Sequence, residues 1–346
     1  MPQFHTARVT ELLLERPGLQ RVMIELEEDE QPGRAYCLTE LTGPVDVGDR
    51  VIVNTTAVDL GLGTGGWHVV HWNLERSSFT RPGPGHVMKL RYTSLQFDAG
   101  TDELMHPELD ERLRGLPVVA CSVHSQAAVV IATIRHLAPL SQIVYVMTDG
   151  GALPLALSDL VAEMVSREIL SGTITAGHAF GGEHETVTVA SALGLAANVL
   201  DADVAVVGMG PGVVGTGSTL GTSAVEAASV ANTAAALGGV PIVAVRASSA
   251  DRRARHRGIS HHTETISRLL CHAVQCAAIP PEVSGLRNII ARPVEAPDPG
   301  EVLRAVGLDV TTMGRGPAED PLFFEAAAGA GALAARLMAA RRASSH

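Results

Sequence analysis

The chain has 346 residues, 46% of them hydrophobic and 18% charged, with a formal net charge of -11. That is apolar surface enough for one large core or two smaller ones. The acidity argues against general nucleic-acid binding, which needs a basic face to neutralise phosphates, so the cluster Arg252, Arg253, Arg255 and Arg257 stands out.

At the N-terminus, "MPQFHTARVTELLLERPG" flanks a short apolar run with charges on both sides, unlike a signal peptide. Residues 1–75 lack helical periodicity. "RVTELLLE", "LQRVMIELEE", "RAYCLTEL", "DRVIVNTTAV" and "WHVVHWNL" are short β-rich runs, separated by turn signals at Pro17-Gly18, Pro32-Gly33, Gly43-Pro44 and Gly48-Asp49. They predict a small antiparallel β barrel or sandwich. Residues 76–115, opened by "RPGPGH", read as a crossover.

From Leu116 the rhythm changes. "LPVVACSV" precedes "QAAVVIATIRHLA", "IVYVMT" precedes "LVAEMVSREIL", and "GTITA" precedes "TVTVASALGLAANVL". "VAVVG" precedes "AVEAASVANTAAALGG", "VPIVAV" precedes "TISRLLCHAV", and "RNIIARPV" precedes "PGEVLRAVG". Continuously apolar strands alternating with amphipathic helices predict a doubly wound, mainly parallel, Rossmann-like α/β domain over 116–346. Its last helix, "AAAGAGALAARLMAA", is too short and too rich in Gly and Ala for a membrane span, and reads as a packed terminal helix. Its small residues suit close packing, including packing in a homo-oligomer; "RRASSH" beyond it reads as frayed. Cys37, Cys121, Cys271 and Cys276 form no C-x-x-C pair, which removes a zinc ribbon and points to thiols in a reducing, cytoplasmic compartment.

Ligands of open parallel sheets bind beyond the carboxyl ends of the strands. Five successive strand-to-helix junctions there carry polar or glycine-rich sequence: His124 and Ser125; Asp149; His178, Glu183 and His184; residues 208–223; and residues 246–262. Ser125 reads chiefly as a helix N-cap, since no G-x-S-x-G surrounds it. "GPGVVG" places Gly210, Gly212 and Gly215 as G-x-G-x-x-G. The helix does not open at once, however, because Ser223 and Glu226 form a capping box, and the next strand ends in Arg246 rather than an acid. NADP is therefore disfavoured. What remains is an anion nest of backbone N–H groups with Thr216, Gly217, Ser218 and Thr219. "GHAFGGEHET" puts Glu183, His184 and Glu185 at an expected helix start. His178, His184 and Asp149 are the metal-ligand candidates, without a dedicated spacing, so a divalent metal stays open.

In "ADRRARHRGISHHTET", Arg255, His256 and Arg257 are expected to contact an anion, with His261 and His262 beside them at the start of a helix that Thr263 could cap. The catalytic candidates are His261, His262 and His178 for proton transfer, with Asp149 and Glu183 positioning a water or metal.

The segments "VNTTAVDLGLGTGG", "GHAFGGEHETVTVASAL", "GMGPGVVGTGSTLG" and "RHRGISHHT" resemble a bacterial family classed as a domain of unknown function, DUF3866, over nearly the whole chain. The resemblance brings no activity or catalytic residue. It suggests that the "TTAVDLGLGTGG" loop belongs with the α/β domain as one unit, and Asn54, Thr55, Asp59 and the glycines of 61–66 are expected to pack over the sheet edge as a lid or dimer contact. The residues themselves predict an enzyme acting on a small anionic, phosphorylated or nucleotide-like metabolite, with no nucleic-acid or membrane partner. A non-catalytic metabolite sensor or assembly subunit is the second reading and an NADP-binding protein the third.

Overall fold

A computed structural model describes residues 1–28, 30–63, 65–151 and 153–344. The chain divides into two compact units, Met1–Gly100 and Thr101–His346. Residues 76–115, expected as a crossover, are shared between them.

In the first unit, strands β1 (Phe4–Arg16), β2 (Leu19–Leu26), β3 (Pro32–Cys37), β4 (Arg50–Asn54) and β5 (Trp67–Asn73) close into a barrel in the order β1-β2-β3-β5-β4. Alternate residues point inward, so Ala7, Val9, Val22, Ile24, Ala35, Cys37, Val51, Val53 and Val70 fill it. The expected pairing was antiparallel throughout, yet β3 and β5 run parallel, with Arg34 opposite Trp67. Helix α1 (Thr39–Thr42) and β4 lie between them in the chain, and this crossover brings β5 back beside β3 in the same direction. Closure removes open sheet edges. Helix α2 (Thr56–Asp59) follows β4. Thr55 Oγ1 donates to Asp59 Oδ2 at 2.6 Å and Asn54 Oδ1 accepts from Thr56 N at 3.0 Å, so all three side chains named for a lid hold this helix turn. Thr64 of that loop lies outside the described residues. A two-stranded ladder, β6 (Met88–Lys89) with β7 (Phe97–Asp98), completes the unit.

The second unit holds β8 (Pro117–Cys121), β9 (Ile143–Thr148), β10 (Gly172–Ala176), β11 (His184–Thr186), β12 (Val204–Met209) and β13 (Val240–Val243). After the antiparallel pair β14 (Ala247–Ser248) and β15 (Gly258–Ile259) come β16 (Val274–Ala277) and β17 (Ile289–Arg292). Eight of these strands form one parallel sheet, ordered β11-β10-β9-β12-β8-β13-β16-β17. Two were not foreseen. "HET" of β11 pairs with β10 instead of starting a helix. β16 was expected as the end of a helix, but its Val274 and Cys276 pair with Ile289 and Ala291.

The helices are α3 (His124–Leu137), α4 (Asp159–Ser166), α5 (Val189–Asn198), α6 (Glu226–Ala236), α7 (His261–Leu269), α8 (Pro299–Val306) and α9 (Pro321–Ser344). One core packs α3, α4, α8 and α9 against the sheet, and a second packs α5, α6 and α7. The chain leaves β8 towards β9 on the first side and leaves β12 towards β13 on the second. Adjacent strands β12 and β8 therefore send their connections in opposite directions, and a crevice opens at their carboxyl ends.

Helix α9 is longer than the apolar run that announced it. Pro321–Ala343 is long and apolar enough to cross a membrane, but 67% of its apolar window is buried, with Phe323, Phe324, Leu333 and Met338 in the core of this unit. Its closeness to α3 depends on Gly331, where a Cβ would lie 2.7 Å from Thr133 Cβ and 2.8 Å from the Val130 carbonyl oxygen. Neither atom is a movable side-chain end. Gly331→Val is expected to destabilise the unit by about 1–3 kcal/mol, read as a lower denaturant midpoint with unchanged slope.

Candidate functional site

The crevice at the β12–β8 switch point is a cavity of about 460 Å³. Three junctions build it. After β8 come Val123, His124 and Ser125; after β12 come Pro211, Gly212, Val213, Gly215, Gly217 and Thr222; after β13 come Arg246, Arg253, Arg255, His256, His261 and His262. Thr311, Thr312 and Met313 form a further wall.

The first junction is locked by hydrogen bonds. His124 Nε2 lies 2.6 Å from Ser158 Oγ, which also accepts from Val161 N at the start of α4, and Nδ1 lies 3.2 Å from the Met209 carbonyl oxygen. Burial pulls the imidazole down to about 4, partly offset by that carbonyl. The neutral ring therefore donates from Nδ1 and accepts at Nε2, fastening β12 and α4 to α3. Ser125 does not cap α3: the N-cap is Val123, without a side-chain bond. Gln126 compensates, its Oε1 accepting from Ser122 N at 3.1 Å while its Nε2 reaches the Val245 carbonyl at 2.9 Å.

The glycine loop folds back on itself. Thr216 N donates to the Gly221 carbonyl at 2.8 Å, Thr216 Oγ1 and Ser218 Oγ are 2.9 Å apart, and Gly221 N donates to Ser218 Oγ at 3.1 Å. The hydroxyls of the expected anion nest are thus used to close the loop. Thr219 is exposed and Gly210 buried, and neither lines the cavity. Gly212, Gly215 and Gly217 do. Gly217 has φ +82°, a conformation that favours glycine, and the Arg255 guanidinium lies against it, 3.6 Å from where a Cβ would stand. The expected Ser223–Glu226 capping box is absent. Thr222 Oγ1 caps instead, accepting from Ala224 N, and Glu226 accepts from Thr148 Oγ1 at 2.6 Å.

The third junction carries the charge. Ser260, not Thr263, caps α7. Thr263 Oγ1 accepts from Arg246 N at 2.8 Å and donates to the Arg246 carbonyl at 3.1 Å, which fixes the backbone from which the Arg246 side chain projects. Arg253 is bidentate on Asp251, at 3.0 and 2.8 Å. Arg246 is only 9% exposed, and among the described residues no carboxylate pairs with it or with Arg255. Burial, reinforced by Arg253, brings the Arg246 guanidinium down to about 10, still charged at neutral pH.

His256, His261 and His262 pack ring to ring, with centroids 4.5 to 5.0 Å apart. Burial first, then the neighbouring arginines, lowers His256 to about 4 and His262 to about 3, and lowers His261 as well. All three are neutral at pH 7. His256 Nδ1 sits 2.7 Å from Ser260 Oγ. His261 Nε2 is buried and has no partner among the described residues.

One nitrogen from each of these rings lies within 4.8 Å of the others, a spacing a metal ion could use. The surroundings fit such an ion poorly. Arg246 approaches His262 Nδ1 at 2.6 Å, and a guanidinium only donates, so that nitrogen's lone pair is taken. Two unpaired guanidinium groups would also repel a cation. The same groups attract an anion.

His178, Asp149, Glu183 and His184 are not brought into this cavity. His178 is exposed on the turn after β10, where its N–H donates to Asp149 Oδ2 at 3.1 Å. Glu183 accepts from Thr173 N at 3.0 Å, and His184 pairs with Asp102 at 2.9 Å; both hold the edge of the sheet. With strands about 4.8 Å apart, β10 lies about 19 Å across the sheet from β13, and β11 about 24 Å. Arg257 turns outward, its guanidinium 3.4 Å from the Asp251 carbonyl oxygen. Arg246, Arg253 and Thr222 line the cavity although none was a named ligand candidate; all three fall within the junctions 208–223 and 246–262 that the strand ends pointed to.

A family model described as "Protein of unknown function (DUF3866)" matches residues 34–331. No curated protein and no solved structure matches the chain.

Proposed function

We infer the function of this chain, which belongs to the DUF3866 family of proteins of unknown function, from its cleft. The proposal is an enzyme that binds a small anionic metabolite, phosphorylated or nucleotide-like, at the carboxyl edge of its parallel sheet. One observation carries it: Arg246, largely buried and unpaired with any carboxylate among the described residues, faces the same cavity as the unpaired Arg255. Keeping a charge out of water without a partner is costly, and an anionic ligand would offset that cost. Gly212, Gly215 and Gly217 of the glycine loop line the same cavity. His261 is the proton carrier of choice, being the ring whose nitrogens are not committed to protein partners. With all four thiols free, a cytoplasmic setting is part of the proposal.

Calorimetric titration with inorganic phosphate, a nucleoside monophosphate and NADPH tests this. Phosphate and the monophosphate should bind. Arg255→Ala, an exposed change that spares the core, should raise both dissociation constants about tenfold, the size of one lost charge-assisted contact. Binding indifferent to Arg255 would defeat the proposal, and NADPH binding alone would favour a dinucleotide site.

A further inference from the structure

We propose that Arg246 and His262 act together to make the Thr222 hydroxyl a dedicated hydrogen-bond donor to the bound anion, so that His262 is a positioning residue rather than a proton carrier. The inference rests on the anion reading of the cleft for its ligand, but its first steps rest on geometry alone.

The chain of bonds has one direction. Arg246 has only protons to offer, so His262 Nδ1, 2.6 Å from its Nη1, must accept. A neutral imidazole carries one proton, which then sits on Nε2. That nitrogen is 3.3 Å from Thr222 Oγ1 and donates to it. Thr222 Oγ1 also accepts from Ala224 N at 3.4 Å. Both acceptor positions of the hydroxyl are then filled from the protein, and its own proton has no protein acceptor among the described residues. Thr222 is 7% exposed and lines the cavity, so that proton is aimed at whatever occupies it.

The consequence is selectivity for the ligand atom. A group at this position must accept, as a deprotonated phosphoryl or carboxylate oxygen does. An amine, amide N–H or metal-bound water would meet proton against proton. His262 cannot take a proton from substrate while Arg246 holds Nδ1 and Nε2 is already protonated. Proton transfer at this end of the cleft is then left to the other two rings, of which His261 carries a buried Nε2 without a partner among the described residues.

Long-range ¹H–¹⁵N correlation on the full chain reads the His262 tautomer directly, and His262→Gln assigns the signal. An Nε2–H tautomer at pH 7 is expected, unchanged in Thr222→Val and Thr222→Ser. Phosphate titration should show Thr222→Val weaker by about tenfold and Thr222→Ser within about twofold of the unaltered chain, as for loss and retention of one hydrogen bond to a charged group. A Nδ1–H tautomer overturns the proposal. So does displacement of the His262 proton by stoichiometric Zn²⁺, which would make the three rings a metal site. Equal phosphate affinity in Thr222→Val overturns the contact. Absence of phosphate binding by the unaltered chain, with the Nε2–H tautomer present, sinks the anion reading and the ligand contact but leaves the arginine–imidazole step standing.

Discussion

Asp320→Ala should lower the stability of the α/β unit by about 3–5 kcal/mol, the largest loss expected of any single change here. Asp320 is fully buried and its carboxylate is saturated. Oδ2 accepts from Ser248 Oγ at 2.6 Å and from Arg315 at 3.1 and 3.2 Å, and Oδ1 accepts from Ser249 N at 2.8 Å. Alanine would leave a buried hydroxyl and a backbone N–H without their acceptor and leave the Arg315 guanidinium only its longer contact with Asp251, at 3.8 Å. The loss should reach the cleft. Ser248 Oγ in turn accepts from Asp251 N at 2.9 Å, and Asp251 grips Arg253, so the arginine loop hangs from Asp320. Chemical denaturation should therefore show a lower midpoint, and phosphate titration should show weaker binding even under conditions where the variant is fully folded. Asp320→Asn, which keeps an acceptor in place but loses the charge facing Arg315, should fall between the two. A variant as stable as the unaltered chain would mean that Arg315 and Ser248 find water or other partners, and that the loop is held elsewhere.

The cleft was legible in sequence to the extent that strand ends determine it. Alternation of apolar runs with amphipathic helices says which residues follow strands, and that put His124, Gly212, Gly215, Gly217, Arg255, His256, His261 and His262 on one rim. It does not say which strands are neighbours. His178 also follows a strand, but β10 sits at the far side of β9 and β12, so the logic that gathered the arginine loop does not bring it to the cleft; Asp149 follows β9, next to β12, yet its carboxylate accepts from His178 N outside the cavity. Strand order comes from long-range pairing, to which no local pattern speaks. Short elements were lost for another reason: β11 and β16, with three and four residues, are too brief for a period of two to be told from a helix end. Caps failed in the same way. Ser125, Ser223 and Thr263 each had the right chemistry one to three positions from the residue that caps or starts the helix, and local bonds made by Gln126, Thr222 and Ser260 decided the matter.

Acid should unfold the α/β unit earlier than its carboxylates alone would require, because two buried imidazoles resist protonation. His256 and His262 are 2% and 5% exposed, and burial with the adjacent Arg246 holds them at about 4 and about 3 in the folded chain. In the unfolded chain both titrate near 6.5. Between those limits the unfolded state binds more protons, so stability rises with pH through this window and falls as pH drops below about 6.5. Each ring is worth about 2 kcal/mol between pH 7 and pH 4.5, with the sum reduced by whatever relaxation the cluster allows. Asp251 has its carboxyl held well below the usual range by Arg253, so it contributes stability that is lost only as pH falls below the unfolded value near 4. The two effects therefore separate on the pH axis. Equilibrium denaturation at half-unit steps from pH 7.5 to 3 should show the imidazole slope above pH 4.5, and His256→Gln with His262→Gln should flatten it while leaving the loss below pH 4 in place. An anion that binds the cleft should oppose the slope, since its negative charge would offset the guanidinium groups of Arg246, Arg253 and Arg255 beside the rings. Protection by phosphate at pH 5.5 that exceeds protection at pH 7.5 would show that the ligand admits a proton to the cluster. Equal protection would show that the imidazoles stay neutral with the ligand bound, and would leave the proton of any reaction to be carried from outside the cluster.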